Sequence, residues 1–110
     1  MSRGLAFLIL FACACLEAGG DAIVRRGMHS GANSTRAVLY IAAAAVLFAY
    51  AWLVNRPPWS FGSLLGVYIV LFFVVAQAIS WAVFGERPGG HILIGGALIV
   101  AGGVVIATRA

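Results

Sequence analysis

The sequence predicts an all-α membrane protein of four transmembrane helices, and three observations lead to that prediction. Of the 110 residues, 64% are hydrophobic and only 9% are charged, a composition far from that of a soluble domain. The apolar residues form four runs, each close to the ~20 residues that a helix needs to cross ~30 Å of hydrocarbon. The segments between the runs are short and rich in Gly, Pro, Ser and Asn, as connectors are. We expect one transmembrane domain over residues 1–110, with spans at about 4–24, 37–54, 64–84 and 92–108.

The first span contains two acids, Glu17 and Asp21. A charge at the centre of a transmembrane helix costs about 2.5–3.5 kcal/mol on insertion scales, so an acid there marks a functional site by default. Glu17 lies past the middle of the span, and no Lys or Arg lies within any predicted span to neutralise it. Because desolvation favours the neutral form of a carboxyl group, we expect Glu17 to bind and release protons reversibly.

Asp21 lies one helical turn beyond Glu17 on the same face, and two interpretations of it stay open. The simpler one is an ion pair with Arg25, four residues further on, near the membrane surface where charged side chains can reach water. The other is a direct part in substrate binding beside Glu17. Gly19 and Gly20 allow a second helix or a ligand to approach closely, although simple helix packing explains them equally well.

The same run can also be interpreted as a secretory or lipoprotein signal peptide, because Arg3 precedes an apolar stretch that contains small residues. We expect it to be kept as the first span. Cys13 and Cys15 are two residues apart and point to different sides of a helix, so we interpret them as small apolar fillers and expect neither a disulfide nor a metal site.

The second and third spans supply candidate partners for the carboxylates. Tyr40, Tyr50 and Tyr68 each carry a phenol that needs a hydrogen-bond partner in hydrocarbon, and a carboxylate across a cavity would be one. Tyr50 also lies near a boundary where aromatic belts are expected. Helical spacing puts Gln77, Ser80 and Trp81 on one side of the third span with two phenylalanines, a surface suited to a lipophilic cation because ring faces attract positive charge. Lipid contact or packing is the simpler interpretation of any single aromatic residue. The predicted proton and substrate site comprises Glu17, Asp21, Tyr40, Tyr68, Gln77, Ser80 and Trp81.

The fourth span has no acid and no aromatic residue, but its glycines repeat. Gly95 and Gly102 are seven residues apart, as are Gly96 and Gly103, and such seams of small residues bring helices together in lipid. We predict that the protein dimerises through this helix, although packing within one subunit is the alternative. The predicted dimer interface comprises Gly95, Leu98, Ile99 and Gly102.

All seven basic residues are arginines, scattered over the termini and loops, which argues against a nucleic-acid-binding patch. If the spans alternate, three arginines lie on one side of the membrane and four on the other, so the positive-inside rule gives little bias to either orientation. Insertion both ways round would allow an antiparallel homodimer, but a partner or the first helix could also set the orientation. The first group is Arg3, Arg56 and Arg109, and the second is Arg25, Arg26, Arg36 and Arg87.

Several of these motifs resemble those of the small multidrug resistance family, four-span transporters of the drug/metabolite transporter superfamily. The similarity runs from residue 80 to residue 104 and includes SW at 80–81, FGER at 84–87 and the glycine pattern at 95–102, which is similar to that family's dimerisation motif. Glu17 and Arg25, eight positions apart, match the family's membrane glutamate and the basic residue after it. The run LFAYAWLVNRPP leading to GVYIV is also similar to the related YnfA-like four-span proteins.

The resemblance implies an antiparallel homodimer in which two copies of Glu17 bind either protons or a cationic substrate and exchange them by alternating access. It also implies a structural role for Trp81 and for the glycine seam. This chain departs from the family in its third span, where Leu65 and Tyr68 stand in place of a tyrosine and a tryptophan, and in the extra acid Asp21. These departures are compatible with a different substrate.

We therefore expect a proton-coupled exporter of small lipophilic or guanidinium-type cations, in the bacterial cytoplasmic membrane, whose partners are lipid, protons, the cation and a second copy of the chain. Two alternatives stay open, a flippase-like subunit for a lipid-linked substrate and a non-transporting protein that modulates a partner. We expect no enzymatic activity and no cofactor, because the sequence contains no evident pairing of nucleophile and base, metal-ligand cluster or phosphate loop.

Overall fold

The computed structural model describes residues 1–109, which form four α-helices joined by short loops. All four helices are long and apolar enough to span a membrane, and residues 1–109 contain no strand. The predicted fold of four transmembrane helices is therefore confirmed, and the chain is a multi-pass membrane protein. The helices are α1 (Arg3–Met28), α2 (Asn33–Val54), α3 (Phe61–Phe84) and α4 (Gly90–Ala107).

The helices extend beyond the predicted apolar runs, mainly at their polar ends. α1 continues through Arg25 and Arg26 to Met28, and α2 begins at Asn33 rather than at residue 37. Hydropathy marks only the part of a helix that crosses hydrocarbon, whereas backbone hydrogen bonding continues into the membrane interface. The two arginines in the last turn of α1 also interact favourably with the negative end of the helix dipole.

Capping residues mark the start of α1 and the end of α3. The side chain of Ser2 accepts a hydrogen bond from the Leu5 N–H at 3.1 Å at the start of α1. α3 ends at Gly85, whose left-handed backbone (φ 69°) glycine adopts without a steric penalty. This turn brings Glu86 back over the end of α3, where the Ser80 hydroxyl donates to its carboxylate at 3.1 Å.

The backbones of α2 and α3 both pack against α1, while α4 packs against α3 alone. Side chains at the two ends show the alternation of the helices. Arg3 donates a hydrogen bond to the Ala107 carbonyl, and Arg25 forms an ion pair with Glu86. We call these two ends of the molecule the Arg3 end and the Arg25 end. The arginines thus divide three to four between the ends, as alternating spans require.

The buried core lies where α1 meets α2 and α3. Small side chains of α1, including Cys13 and Ala14, are fully buried there, and small residues let helices approach closely in lipid. Cys15 is exposed on the other side of α1. The members of the core are Leu10, Cys13, Ala14, Ala18, Val54, Leu64, Val67, Tyr68 and Val75.

The two glycine seams of α4 face different surroundings. A Cβ atom added at Gly96 would lie 2.6 Å from the Phe73 ring, and one added at Gly103 would overlap the Val70 side chain, so this seam packs α4 onto α3. Within residues 1–109, no atom outside the neighbouring backbone of α4 lies within 4 Å of a Cβ atom added at Gly95 or Gly102. Packing within one subunit therefore accounts for one seam, and the other faces away from the rest of the chain.

Candidate functional site

Glu17 lies a little past the middle of α1, on the side that faces α2 and α3. Its carboxylate is partly buried and accepts a hydrogen bond of 2.8 Å from the hydroxyl of Tyr68 on α3. Tyr68 is only 4% exposed, so its ring is fixed by the core while its hydroxyl reaches the acid. The structure thus brings together the two predicted site residues whose polar groups most need a partner in hydrocarbon.

Two further aromatic rings pack against the ring of Tyr68. Tyr50 of α2 stacks on Tyr68 with ring centroids 5.7 Å apart, and Phe72 of α3 lies 6.1 Å from Tyr68 at a tilt of 35°. We call Tyr50, Tyr68 and Phe72 the aromatic cluster. Ring faces attract cations, and a carboxylate beside them adds a full negative charge. The arrangement therefore combines an acidic group with aromatic rings, a chemistry that suits a cation.

Tyr50 is the residue beside Glu17 that the predicted site omitted, and no signal in the sequence separates it from Tyr40. The register of the first two helices in the structure places it there. Gly27 of α1 lies against Tyr40 of α2, and Gly20 lies against Leu47. The two helices are therefore antiparallel, and the seven residues from Gly27 back to Gly20 on α1 match the seven residues from Tyr40 to Leu47 on α2. A further step of three residues on each helix places Glu17 opposite Tyr50.

Tyr40 is not brought to Glu17. It lies at the Arg25 end, 39% exposed, and is ten residues from Tyr50, which is about 15 Å along a helix. The argument that a phenol needs a partner applies equally to both tyrosines, and only the packing of α2 on α1 selects Tyr50.

The predicted polar face of α3 is divided between two surroundings. Gln77 lines a groove between α3 and α4 together with Phe73 and Gly96, on the other side from α1. Trp81 is 57% exposed, and Ser80 lies at the Arg25 end beside Glu86. Of the polar residues predicted on this helix, Tyr68 is the one in contact with Glu17.

Asp21 lies in a groove between α1 and α3 that opens near the Arg25 end. This groove, which we call the α1–α3 groove, has a volume of about 180 Å³. The expected ion pair between Asp21 and Arg25 is not formed, because the turn at Gly85 places Glu86 beside the Arg25 guanidinium at 3.7 Å. Asp21 makes no hydrogen bond or ion pair within residues 1–109. The groove is lined by Ala18, Asp21, Ala22, Arg25, Phe72, Ala76, Ile79, Ser80, Phe84 and Glu86.

Removal of the Tyr68 hydroxyl should weaken the site and the fold together. We expect Tyr68→Phe to lower the free energy of unfolding by about 0.6–1.7 kcal/mol, which lies between the mean and the maximum contribution of interhelical hydrogen bonds in membranes. Tyr40→Phe is the matched control, because the Tyr40 hydroxyl makes no hydrogen bond within residues 1–109. Denaturant titration in mixed micelles measures both values. Equal effects of the two substitutions would contradict the assignment of the hydrogen bond.

These features define a class of protein, a multi-pass membrane protein built around a carboxylate within the membrane. The chain is similar to a UPF0060 membrane protein of Methylibium petroleiphilum, with 38% identity over 71 residues, which is 64% of this chain and 63% of that relative. The match thus spans a little under two thirds of the relative's length. UPF0060 proteins are the YnfA family, so the comparison agrees with the YnfA-like part of the resemblance. No family model and no solved structure matches the chain.

Proposed function

We propose that the protein is a proton-coupled exporter of small lipophilic or guanidinium-type cations, related to the small multidrug resistance transporters and located in the bacterial cytoplasmic membrane. The observation that carries this proposal is the 2.8 Å hydrogen bond between Glu17 and Tyr68, a member of the aromatic cluster. It combines a titratable acid with rings that bind cations, on helices that cross the membrane.

The surroundings of Glu17 support exchange of a proton for a cation. The next arginine along α1 is Arg25, eight residues or about 12 Å away, and its guanidinium is paired with Glu86. Among the described residues an ionised Glu17 forms no ion pair, so it favours the binding of either a proton or a substrate cation. A protonated carboxyl group has no negative charge with which to hold a cation. Binding of the cation to Glu17 therefore releases the proton.

The proposed active unit is an antiparallel homodimer. Glu17 is only partly buried within one chain, and the Gly95 and Gly102 face of α4 is left uncovered beside Leu98, which is 71% exposed. Small residues on such a face allow close contact with a second helix. In an antiparallel pair the Arg3 end of one subunit lies beside the Arg25 end of the other. Exchange of conformation between the subunits then opens the shared site to the opposite side of the membrane.

The proposal is tested with purified protein in weak buffer and with vesicles that contain it. We expect phenylguanidinium to release protons from the protein and to accumulate in vesicles with an acidic interior as protons leave. Phenylurea, which has a similar shape but no charge, is the matched control and should do neither. Folded protein that neither releases protons nor transports any of several organic cations would overturn the proposal.

One observation favours a second candidate function, a flippase-like subunit for a lipid-linked substrate. An apolar groove of about 320 Å³ lies between α1, α3 and α4 at the Arg3 end, with Arg3 at its border. An acyl chain fits the chemistry of this groove, and a guanidinium is suited to binding phosphate. Translocation of a fluorescent anionic lipid, without proton release by phenylguanidinium, is the result that this candidate predicts.

A further inference from the structure

We propose that the groove between α3 and α4 is a second self-association surface, where Gln77 of one copy hydrogen-bonds Gln77 of another copy held in the same orientation. We call it the α3–α4 groove, and its volume is about 550 Å³. It lies on a different face of the chain from the proposed antiparallel contact. The contact would therefore join two antiparallel dimers, and it does not depend on transport.

Gln77 carries an amide without a hydrogen bond inside the membrane. The side chain is partly buried and makes no hydrogen bond within residues 1–109. It lies four to five residues past the middle of α3, about 7 Å along the axis, which is well inside the ~15 Å half-thickness of the hydrocarbon. Hydrocarbon supplies neither donor nor acceptor at this depth, so the amide requires a partner from protein.

The lining of the groove selects an identical residue as that partner. Among the described residues, Gln77 is the only one that brings a polar side chain to the lining. A copy that presents the same groove in the opposite orientation would place apolar residues against it, and a lipid acyl chain has no polar group. A copy in the same orientation brings a second Gln77 to the same depth. Two amides are complementary, because each has donors and an acceptor, and glutamines do hydrogen-bond across helices in lipid.

The shape of the groove suits a second copy. Ala97 and Ala101 of α4 line it, are exposed, and are four residues apart, the spacing at which small residues let helices approach closely in membranes. Val74 and Leu93 also line the groove and are 53% and 63% exposed, so they can enter the groove of the other copy. Small residues thus provide space, and large exposed ones fill it.

This contact leaves the Gly95 and Gly102 face of α4 free. Ala97 follows Gly95 by two residues, and at 3.6 residues per turn two such side chains point about 160° apart. Val100, another residue of the groove, has the same relation to Gly102. Both contacts can therefore form at once, which gives an assembly with two chains in each orientation.

Disulfide formation between copies tests both the contact and its orientation. Gly96 lies against Phe73, so Gln77, one turn further along α3, lies level with residues 92–93 of α4. Leu93 is five to six residues, about 8 Å, from the middle of α4. Copies in opposite orientations would hold the two Leu93 residues about 16 Å apart along the membrane normal, beyond the ~4.4–6.8 Å between the Cα atoms of a disulfide. Only copies in the same orientation can cross-link here.

The experiment oxidises purified Leu93→Cys protein in lipid vesicles and measures the cross-linked fraction. The background carries Cys15→Ala, whereas Cys13 is fully buried and is kept. The background protein alone should give no cross-link, and Leu93→Cys should give a cross-linked dimer. Adding Gln77→Leu, which keeps the size but removes the amide, should lower the association constant about 3- to 20-fold. Gln77→Asn keeps an amide and should lower it less.

A steric variant provides a second route to the same surface. Ala97→Leu places a large side chain in the groove and should reduce the Leu93→Cys cross-link severalfold. Ala44→Leu is the matched control, because Ala44 is exposed on α2, away from the groove, and should leave the cross-link unchanged. Equal effects of the two substitutions would contradict the assignment of the surface.

Absence of a cross-link in folded Leu93→Cys protein would overturn the proposal, as would a cross-link that Gln77→Leu leaves unchanged. Leu98→Cys, at the middle of α4 on the other face, reports the antiparallel dimer, and Gln77→Leu should not affect its cross-link. Loss of both cross-links in Gln77→Leu protein would count against a part for Gln77 in the groove alone. Failure of Leu98→Cys to cross-link, with the Leu93→Cys result intact, would count against the proposed antiparallel dimer and not against this contact.

Discussion

Glu17→Gln is expected to abolish both the release of protons by phenylguanidinium and the transport of that cation, while the protein stays folded. Glutamine has the size of glutamate and can still accept a hydrogen bond from Tyr68, but it cannot ionise. The cation loses its counter-charge, and interactions with charged groups contribute about 1.5–3 kcal/mol, so binding at this site should weaken about 10- to 100-fold. A pH electrode in weakly buffered protein and uptake into vesicles measure the two losses.

Asp21→Asn is the control for this variant, because it also removes one carboxylate from α1, a single turn away. We expect Asp21→Asn to keep proton release and to reduce uptake less than Glu17→Gln does, since Glu17 keeps its charge. Coupled transport that persists in Glu17→Gln protein would contradict the role of Glu17. Equal losses in the two variants would assign the exchange to both acids.

The adjacent glycines of α4 should give opposite results when each is replaced by leucine. Gly103→Leu is expected to detach α4 from α3, because even a Cβ atom at this position would overlap the Val70 side chain. Overpacking a core costs about 1–3 kcal/mol, and a leucine against a neighbouring helix should reach or exceed the upper value. Denaturant titration in micelles measures the loss of stability.

Gly102→Leu should leave the single subunit intact, because a Cβ atom placed there has no neighbour within 4 Å among the described residues beyond the adjoining backbone of α4. Its expected effect is a lower dimer fraction, measured by energy transfer between labelled chains diluted in lipid. Loss of fold stability in both variants would contradict the structural distinction between the two seams. An unchanged dimer fraction in Gly102→Leu would move the proposed dimer contact away from this face of α4.

The sequence by itself determined the number of helices and identified Glu17 as the first acid to test for a function. Both follow from local properties, because the cost of placing a residue in hydrocarbon depends on that residue and its neighbours along the chain. Four apolar runs of the right length therefore predicted four spans, and a carboxylate within the first run identified Glu17. The ends of the helices were predicted less well, since hydropathy does not report where backbone hydrogen bonding stops.

The tertiary structure decided which side chains meet. The sequence treated Tyr40 and Tyr50 alike, and the register of α2 on α1 brought Tyr50 to Glu17. Arg25 pairs with Glu86 rather than with Asp21 as expected, because the left-handed turn at Gly85 brings Glu86 back across the groove.

The glycines of α4 are a second case in which the sequence did not show which side chains meet. The sequence contained two equivalent seams, and the packing of α3 occupied the one formed by Gly96 and Gly103. When nearly every position in a span is apolar, periodicity does not identify the face that turns inward. The rotation and register of each helix come instead from the fit of its small and large side chains against a neighbour, which only the folded chain contains.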